Sequence, residues 1–501
     1  MRIGFVPIDN RPVCYTLPKQ ISDIDRDIEL LLPNREWLGG LTKYSDRDKI
    51  FHWLEGLENV DAIILSLDTI AYGGLISSRR CEDSFEEINM RIMKLKKILS
   101  EKDVRVYAFS SIMRISNNNI NEEEKEYWSK YGKKIFDYSY QCHKNNNESC
   151  IMNVIPSKIL DDYIACRKRN FEINKIYLQW QKEGLFDTLV FSKDDCAEYG
   201  FNVQEAKALE DMGAFVKTGA DEIPLSLLSH AITDNRKKAA GGRDAAAGMR
   251  PVSAHDSEPN RVEIQRNRRC DWSENEKSEA IFDCTGGRKV KIAPIFIEPE
   301  YKNLLSKYED VSIELSVKGQ IELAGCEVCE PQEADILLYV NNFIEHQGEI
   351  VMGIPTSPYS KNWVRPNKPY MIADVRFANG SDNKFVEKLF VEGLGDNFYG
   401  YSAWNTSANS LGSLICAGLV KFLAKDYNKE AFKNLHIIRF LDDWAYQANV
   451  RQRMEKPDVQ DLYKKMKIYE GRVFEILNSY VKIEYKFPWN RLFEVEINEY
   501  I

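Results

Sequence analysis

The stretch DAIILSLD, residues 61–68, decides the fold class. Ala62 to Leu65 form an unbroken apolar run, whereas a strand with one wet face would alternate apolar and polar residues. Continuous apolarity fits a strand buried on both faces, the mark of a parallel sheet covered by helices. Eight further runs read the same way: RIGFVPID (2–9), IELLLPN (28–34), VRVYAFSS (104–111), TLVFSKDD (188–195), GAFVKTGAD (213–221), KVKIAPIFI (289–297), ADILLYVNN (334–342) and YMIADV (370–375). Helical stretches separate them, among them FEEINMRIMKLKKILSEKD (85–103) and NVQEAKALEDMG (202–213). Strand–helix alternation predicts an α/β fold. The expected architecture is a parallel-strand (β/α)8-like barrel with a C-terminal helical region. The alternative is two doubly wound α/β domains divided near 234–285.

That segment has few large apolar residues, much Arg, Gly, Ala and Ser, and no period. It reads as a flexible insertion. The expected organisation is therefore an N-terminal part of the α/β body (1–233), the insertion (234–285), a C-terminal part of the body (286–425) and a helical region (426–501). The last begins with amphipathic helices and ends in YKFPWNRLFEVEINEYI, which alternates like a strand.

A chain of 501 residues exceeds one ordinary core, which fits either architecture. Net charge is −9 with no basic stripe, which argues against nucleic acid as a partner. No apolar stretch is long enough to span a bilayer, and the first nine residues read as a strand rather than a signal peptide, so no membrane partner and a cytoplasmic location are expected. The 11 cysteines have no repeating spacing. Cys326 and Cys329 form one CxxC without a second pair, and the expectation is free thiols.

Strand after strand ends on a polar residue: Asp9, Asn34, Asp68, Asp194–Asp195, Asp221–Glu222, Asn341–Asn342 and Asp374. In parallel α/β folds the carboxyl ends of the strands converge on the ligand site. Asp and Asn also cap helices and favour turns. In PIDNRPVCY (7–15), Arg11 can hold a substrate anion or pair with Asp9. In SLDTIAYGGLISSRR (66–80), Gly73–Gly74 permits positive φ or close approach beside Asp68, Tyr72 and Arg79. Neither a P-loop nor a dinucleotide fingerprint is present. In YGYSAWNTSANSLGS (399–413), Trp404 lies among Asn405, Thr406 and Asn409, a combination suited to a sugar, or to a buried Trp beside a helix cap.

These segments resemble an uncharacterised bacterial family of about this length, a domain of unknown function. Its marks are an Asp-x-Arg-Pro start, Tyr-Gly-Gly-Leu…Ser-Arg, Asp-Asp…Tyr-Gly, Gly-Ala-Asp-Glu and Trp-Asn-Thr…Asn. Asn10 stands where a second Asp is usual, and Ala403 where Gly is usual. The Asp194–Asp195 pair is also similar to the catalytic pair of barrel-fold hydrolases acting on N-acetylated aminosugars. There one carboxylate orients the substrate's acetamido nucleophile and its neighbour protonates the leaving oxygen.

The expectation is a glycoside-active enzyme acting on a small-molecule or oligosaccharide substrate. Asp194 orients, Asp195 is the general acid, and Asp9, Arg11, Asp68, Tyr72, Arg79, Glu222, Trp404, Asn405 and Asn409 bind substrate. This reading needs no cofactor. A second reading is a hydrolase in which Asp9, Asp68, Asp194, Asp195 and Glu222 hold Mg²⁺ or Mn²⁺. A third is a non-catalytic carbohydrate- or metabolite-binding protein.

Overall fold

The structure, a computed structural model, describes residues 1–146, 154–194, 197–241, 288–360 and 363–500. Each of the nine apolar runs contains a strand. They are β1 (Arg2–Val6), β2 (Glu29–Leu31), β3 (Ala62–Ser66), β4 (Arg105–Ile112), β5 (Thr188–Lys193), β6 (Val216–Thr218), β7 (Lys291–Phe296), β9 (Ile336–Asn341) and β11 (Tyr370–Asp374). Between and after them come the short β8 (Glu327–Val328), β10 (Gly348–Glu349) and β12 (Phe377–Ala378), and the longer β13 (Phe398–Ser402), β14 (Lys482–Lys486) and β15 (Glu496–Tyr500). The fold is mixed α/β with parallel sheets.

The strands pair into a six-stranded sheet of order β2-β1-β3-β4-β5-β6 and a five-stranded sheet of order β13-β11-β9-β7-β8, both parallel throughout. A (β/α)8 barrel pairs each strand with its successor. Here β1 lies between β2 and β3, and no pairing among the described residues joins β6 to β7 or closes either sheet. Counted within its own sheet, each runs second, first, third, fourth, fifth, the flavodoxin-like order, with a sixth strand added at the edge of the first. Each therefore has a switch point, between β1 and β3 and between β7 and β9.

Side-chain alternation along the buried strands feeds separate cores. Ile63, Leu65, Val106, Ala108 and Phe191 pack on one face of the first sheet. Ile292, Leu338, Val340, Met371 and Ala373 pack on one face of the second. The opposite faces, with Phe5, Ile64, Phe109, Leu337, Tyr370 and Ile372, share one large cluster. Helices Ile223–Gly241 and Ser407–Leu423 pack against each other, the first also on β3 and β4 and the second on β11 and β13. Nearly the whole second helix is buried, as its all-round apolar sequence requires.

The first eight residues of the expected insertion, 234–241, continue the helix Ile223–Gly241; residues 242–285 lie outside the described residues. The C-terminal region contains helices Lys429–Arg439 and Val459–Leu477, with a π-helix, Phe440–Val450, between them. It closes with the antiparallel pair β14–β15. Among the described residues no helix is long and apolar enough to cross a membrane. Cys326 is buried and Cys329 half-buried.

Candidate functional site

The Asp-x-Arg-Pro segment folds as one unit. The backbone N–H of Arg11 donates to Asp9 Oδ1 at 3.0 Å, an Asx-type turn. Pro12 then opens the helix Pro12–Ser22 at a position where a missing N–H costs nothing. This turn folds the Arg11 side chain back on the same carboxylate, with Nε 2.9 Å from Asp9 Oδ2. The guanidinium reaches on to Asp221, through Nη1 at 3.2 Å and through Nη2, and to Glu494 at 3.2 Å. Three buried carboxylates thus share one guanidinium. Burial pushes Asp221 above the ordinary carboxylate range; Arg11 opposes this, while Asp9 and Asp194 add to it. Burial likewise pushes Glu494 up to about 7 against the pull of Arg11 and Arg491.

A second cluster follows β4. Arg114 donates to Glu123 at 2.7 Å and to Asp194 at 3.3 Å, and lies 3.4 Å from Glu124. Arg79 pairs with Glu124 at 2.9 Å, and Arg491 donates to Glu123 at 2.6 Å. Burial opposes ionisation of Glu123, but Arg114, Arg79 and Arg491 together hold its carboxyl well below the usual range.

The loop joining β14 to β15 connects the clusters. Its backbone is left-handed at Trp489 and Asn490 and extended at Arg491, which brings the Arg491 side chain against both Trp489 and Phe493. The Arg11 guanidinium carbon is 5.2 Å from the Trp489 ring centre, and Arg491 is 4.6 Å from the same ring. Arg491 lies 4.9 Å from the Phe493 ring and Arg451 5.1 Å from it. Cation and aromatic ring therefore alternate from Arg11 to Arg451, each contact contributing roughly 0.5–2 kcal/mol according to its desolvation.

Both clusters open on one cavity of about 500 Å³, a size suited to a small ligand. Arg11, Arg114, Asp194 and Asp221 reach it from the first sheet, Tyr308, Asn379 and Asn405 from the second half, and Arg451, Arg491 and Phe493 from the C-terminal region. It lies beyond the carboxyl ends of β4, β5 and β6. Asn379 and Asn405 both adopt left-handed backbone, φ 60° and 59°, and the Asn379 N–H donates to the Asn405 carbonyl. Asn tolerates this region better than most residues, and such positions cluster at ligand sites.

Of the expected site residues, Arg11, Asp194 and Asn405 line this cavity, and Asp9 stands behind Arg11. Asp195 lies outside the described residues. Arg79 is buried behind Glu123 and Glu124. Asp68 is fully buried: Oδ2 accepts from the Ser111 N–H at 2.8 Å, and burial pushes the carboxyl up to about 7. Its carbonyl accepts from Tyr72, Gly73 and Gly74, both glycines at positive φ, so this segment is a tight turn whose side chains face the interior. Tyr72 is buried beside it.

Glu222 is buried near Arg439 and Asp443, and burial holds its carboxyl well above the usual range; its neighbour Asp221 is the one that reaches the cavity. Trp404, only 3% exposed, sits edge-on to Phe493 and lines a separate void of about 30 Å³, so Phe493 rather than Trp404 offers an aromatic ring to the larger cavity. Asn409 is buried against Gly219, and Thr406 caps the helix Ser407–Leu423. Among the described residues no group of three or more His, Cys, Asp or Glu is arranged to hold a metal ion.

The chain matches the family described as "Protein of unknown function (DUF4127)" over residues 3–498. It belongs to that family. No curated protein and no solved structure matches it. Within the family's span lie the cavity residues that the sequence reading did not assign to the site: Asp221, noted as a strand-end acid while Glu222 was assigned instead, and Arg114, Glu123, Arg451, Arg491 and Phe493. The alternating WNRLF (489–493) was the available signal for the last two.

Proposed function

We propose that this protein is a glycoside hydrolase, built as two doubly wound halves that meet over one cavity and acting on N-acetylated aminosugar glycosides. The observation that carries the reading is a pair of carboxyl groups in unlike surroundings on the same cavity. Asp194 is ion-paired to Arg114. Asp221 belongs to a buried set of three carboxylates that share Arg11, and burial raises its carboxyl above the ordinary range, which favours the protonated form. An ion-paired carboxylate beside a buried carboxyl whose surroundings favour the proton is what acid-assisted glycoside cleavage uses.

In this mechanism Asp221 takes the acid role first expected of Asp195. Its proton passes to the glycosidic oxygen as the bond from C1 to that oxygen breaks. Asp194 accepts a hydrogen bond from the acetamido N–H, aligning the acetamido carbonyl oxygen for attack on C1. Water then opens the resulting ring, and its proton returns to Asp221. Phe493 packs on the apolar face of the sugar, and Asn405 and Asn379 meet its hydroxyls.

The competing Mg²⁺ or Mn²⁺ reading makes a different forecast. Wild-type protein assayed on a panel of aryl N-acetylaminosugar glycosides should release the aryl group at the same rate with and without excess chelator. No turnover on any member of the panel would sink the hydrolase reading. Loss of turnover with chelator would favour the metal reading.

A further inference from the structure

One end of the cavity carries a guanidinium with no carboxylate in direct contact among the described residues. Each of its carboxylates has a guanidinium within ion-pair range: Asp221 has Arg11, Asp194 has Arg114, Glu123 has Arg114 and Arg491, and Glu122 has Arg491 at 3.8 Å. Arg451 is the exception. Its Nη1 donates to the neutral Gln447 at 3.0 Å, and no carboxylate among the described residues lies within ion-pair range. Burial lowers its affinity for the proton; Tyr446, Glu349 and Asp442 pull the other way from a distance, and Arg491 adds repulsion.

Two guanidiniums thus face one ring, Phe493, at 5.1 and 4.9 Å. A half-buried cation with no carboxylate in direct contact and a second cation across the same ring gains from an anion that joins it. The backbone keeps it there. Arg451 follows the π-helix Phe440–Val450, and its N–H donates to the Tyr446 carbonyl five residues back. Wide helical turns of this kind are rare and recur at functional sites.

We propose that Arg451, with Arg491 across Phe493, is an anion subsite, and that the ligand carries a carboxylate or phosphate group there. That the ligand is a sugar rests on the hydrolase reading; the subsite itself does not. A guanidinium presents a planar fork matched to either oxyanion, which a lone amide does not.

The test is thermal-shift titration of the intact protein with inorganic phosphate, glucuronate and glucose, for wild type, Arg451→Gln and Arg451→Lys. Phosphate or glucuronate should stabilise wild type at far lower concentration than glucose. Arg451→Gln should weaken the responding anion about 10–100-fold, the range for a charge-assisted hydrogen-bonded contact. Arg451→Lys keeps a charge over Phe493 but loses the fork, so it should fall between the two and stand in if the Gln variant does not fold. Which anion responds distinguishes a carboxylate subsite from a phosphate one. Equal midpoints for phosphate, glucuronate and glucose in wild type, or anion midpoints unchanged in both variants, would overturn the inference. Arg451-dependent anion binding without glycoside turnover would leave the subsite standing and remove the hydrolase reading.

Discussion

Arg11→Met should lower the unfolding free energy by about 3–5 kcal/mol, the usual cost of removing one partner from a buried ion pair. Arg11 is 5% exposed and contacts Asp9, Asp221 and Glu494, each also buried. Methionine replaces most of the apolar stem but none of the charge, so three carboxylates are left facing one another. Arg491, the other cation near Glu494 among the described residues, is already engaged by Glu123. The deficit should shrink as pH falls from 8 to 5. Asp221 and Glu494 already sit above the ordinary carboxylate range, and losing the cation raises them further. Groups raised in the folded state bind protons more tightly there than in the unfolded chain, so lower pH favours the folded form. Denaturant titration at several pH values measures this. A deficit independent of pH would mean that Arg11 acts by packing alone.

Asp194→Asn should reduce turnover by about 10²–10⁴-fold, the range for a positioned acid–base group. The loss should be nearly equal on good and poor leaving groups, because orienting the nucleophile matters whatever departs. Stability should change little. Arg114 keeps Glu123 at 2.7 Å and Glu124 at 3.4 Å, so its charge stays matched. Steady-state kinetics on an aryl and an alkyl glycoside, with a melting curve for each protein, separates lost chemistry from lost fold. Wild-type turnover in the variant would make Asp194 a turn residue and nothing more.

Strand existence was legible because burial on both faces leaves a plain mark: Ala62–Leu65 in β3 and Ile336–Val340 in β9 are runs that water would not tolerate. Strand order was not, since the same runs serve a barrel or two sheets, and only the position of β1 between β2 and β3 distinguishes them. The strand β13 was missed because FYGYS carries a glycine and no aliphatic residue. At the site, Asp-x-Arg-Pro was readable as an ion pair because both partners lie in one turn. The Asp221–Glu222 pair was visible, but which acid meets the cavity depends on the turn at Gly219, φ 107°, and on where the helix Ile223–Gly241 starts. Arg114 escaped notice because β4 runs past Ser111 to Ile112 and the arginine follows it. Arg451 and Arg491 came from a region whose amphipathic pattern reports packing and not what its loops reach.

The central claim is that Asp221 holds the proton given to the leaving group, and the dependence of rate on leaving-group basicity tests it most directly. A series of aryl N-acetylaminosugar glycosides spanning acidic to basic phenols would be assayed with wild type and Asp221→Asn. Wild-type kcat should vary little along the series. The variant should match wild type within a few-fold on the most acidic phenol and fall about 10²–10⁴ below it on the most basic, since only the latter needs protonation. Its stability should not fall, because one of three carboxylates around a single guanidinium has been removed. Parallel lines for the two proteins across the whole series would contradict the account.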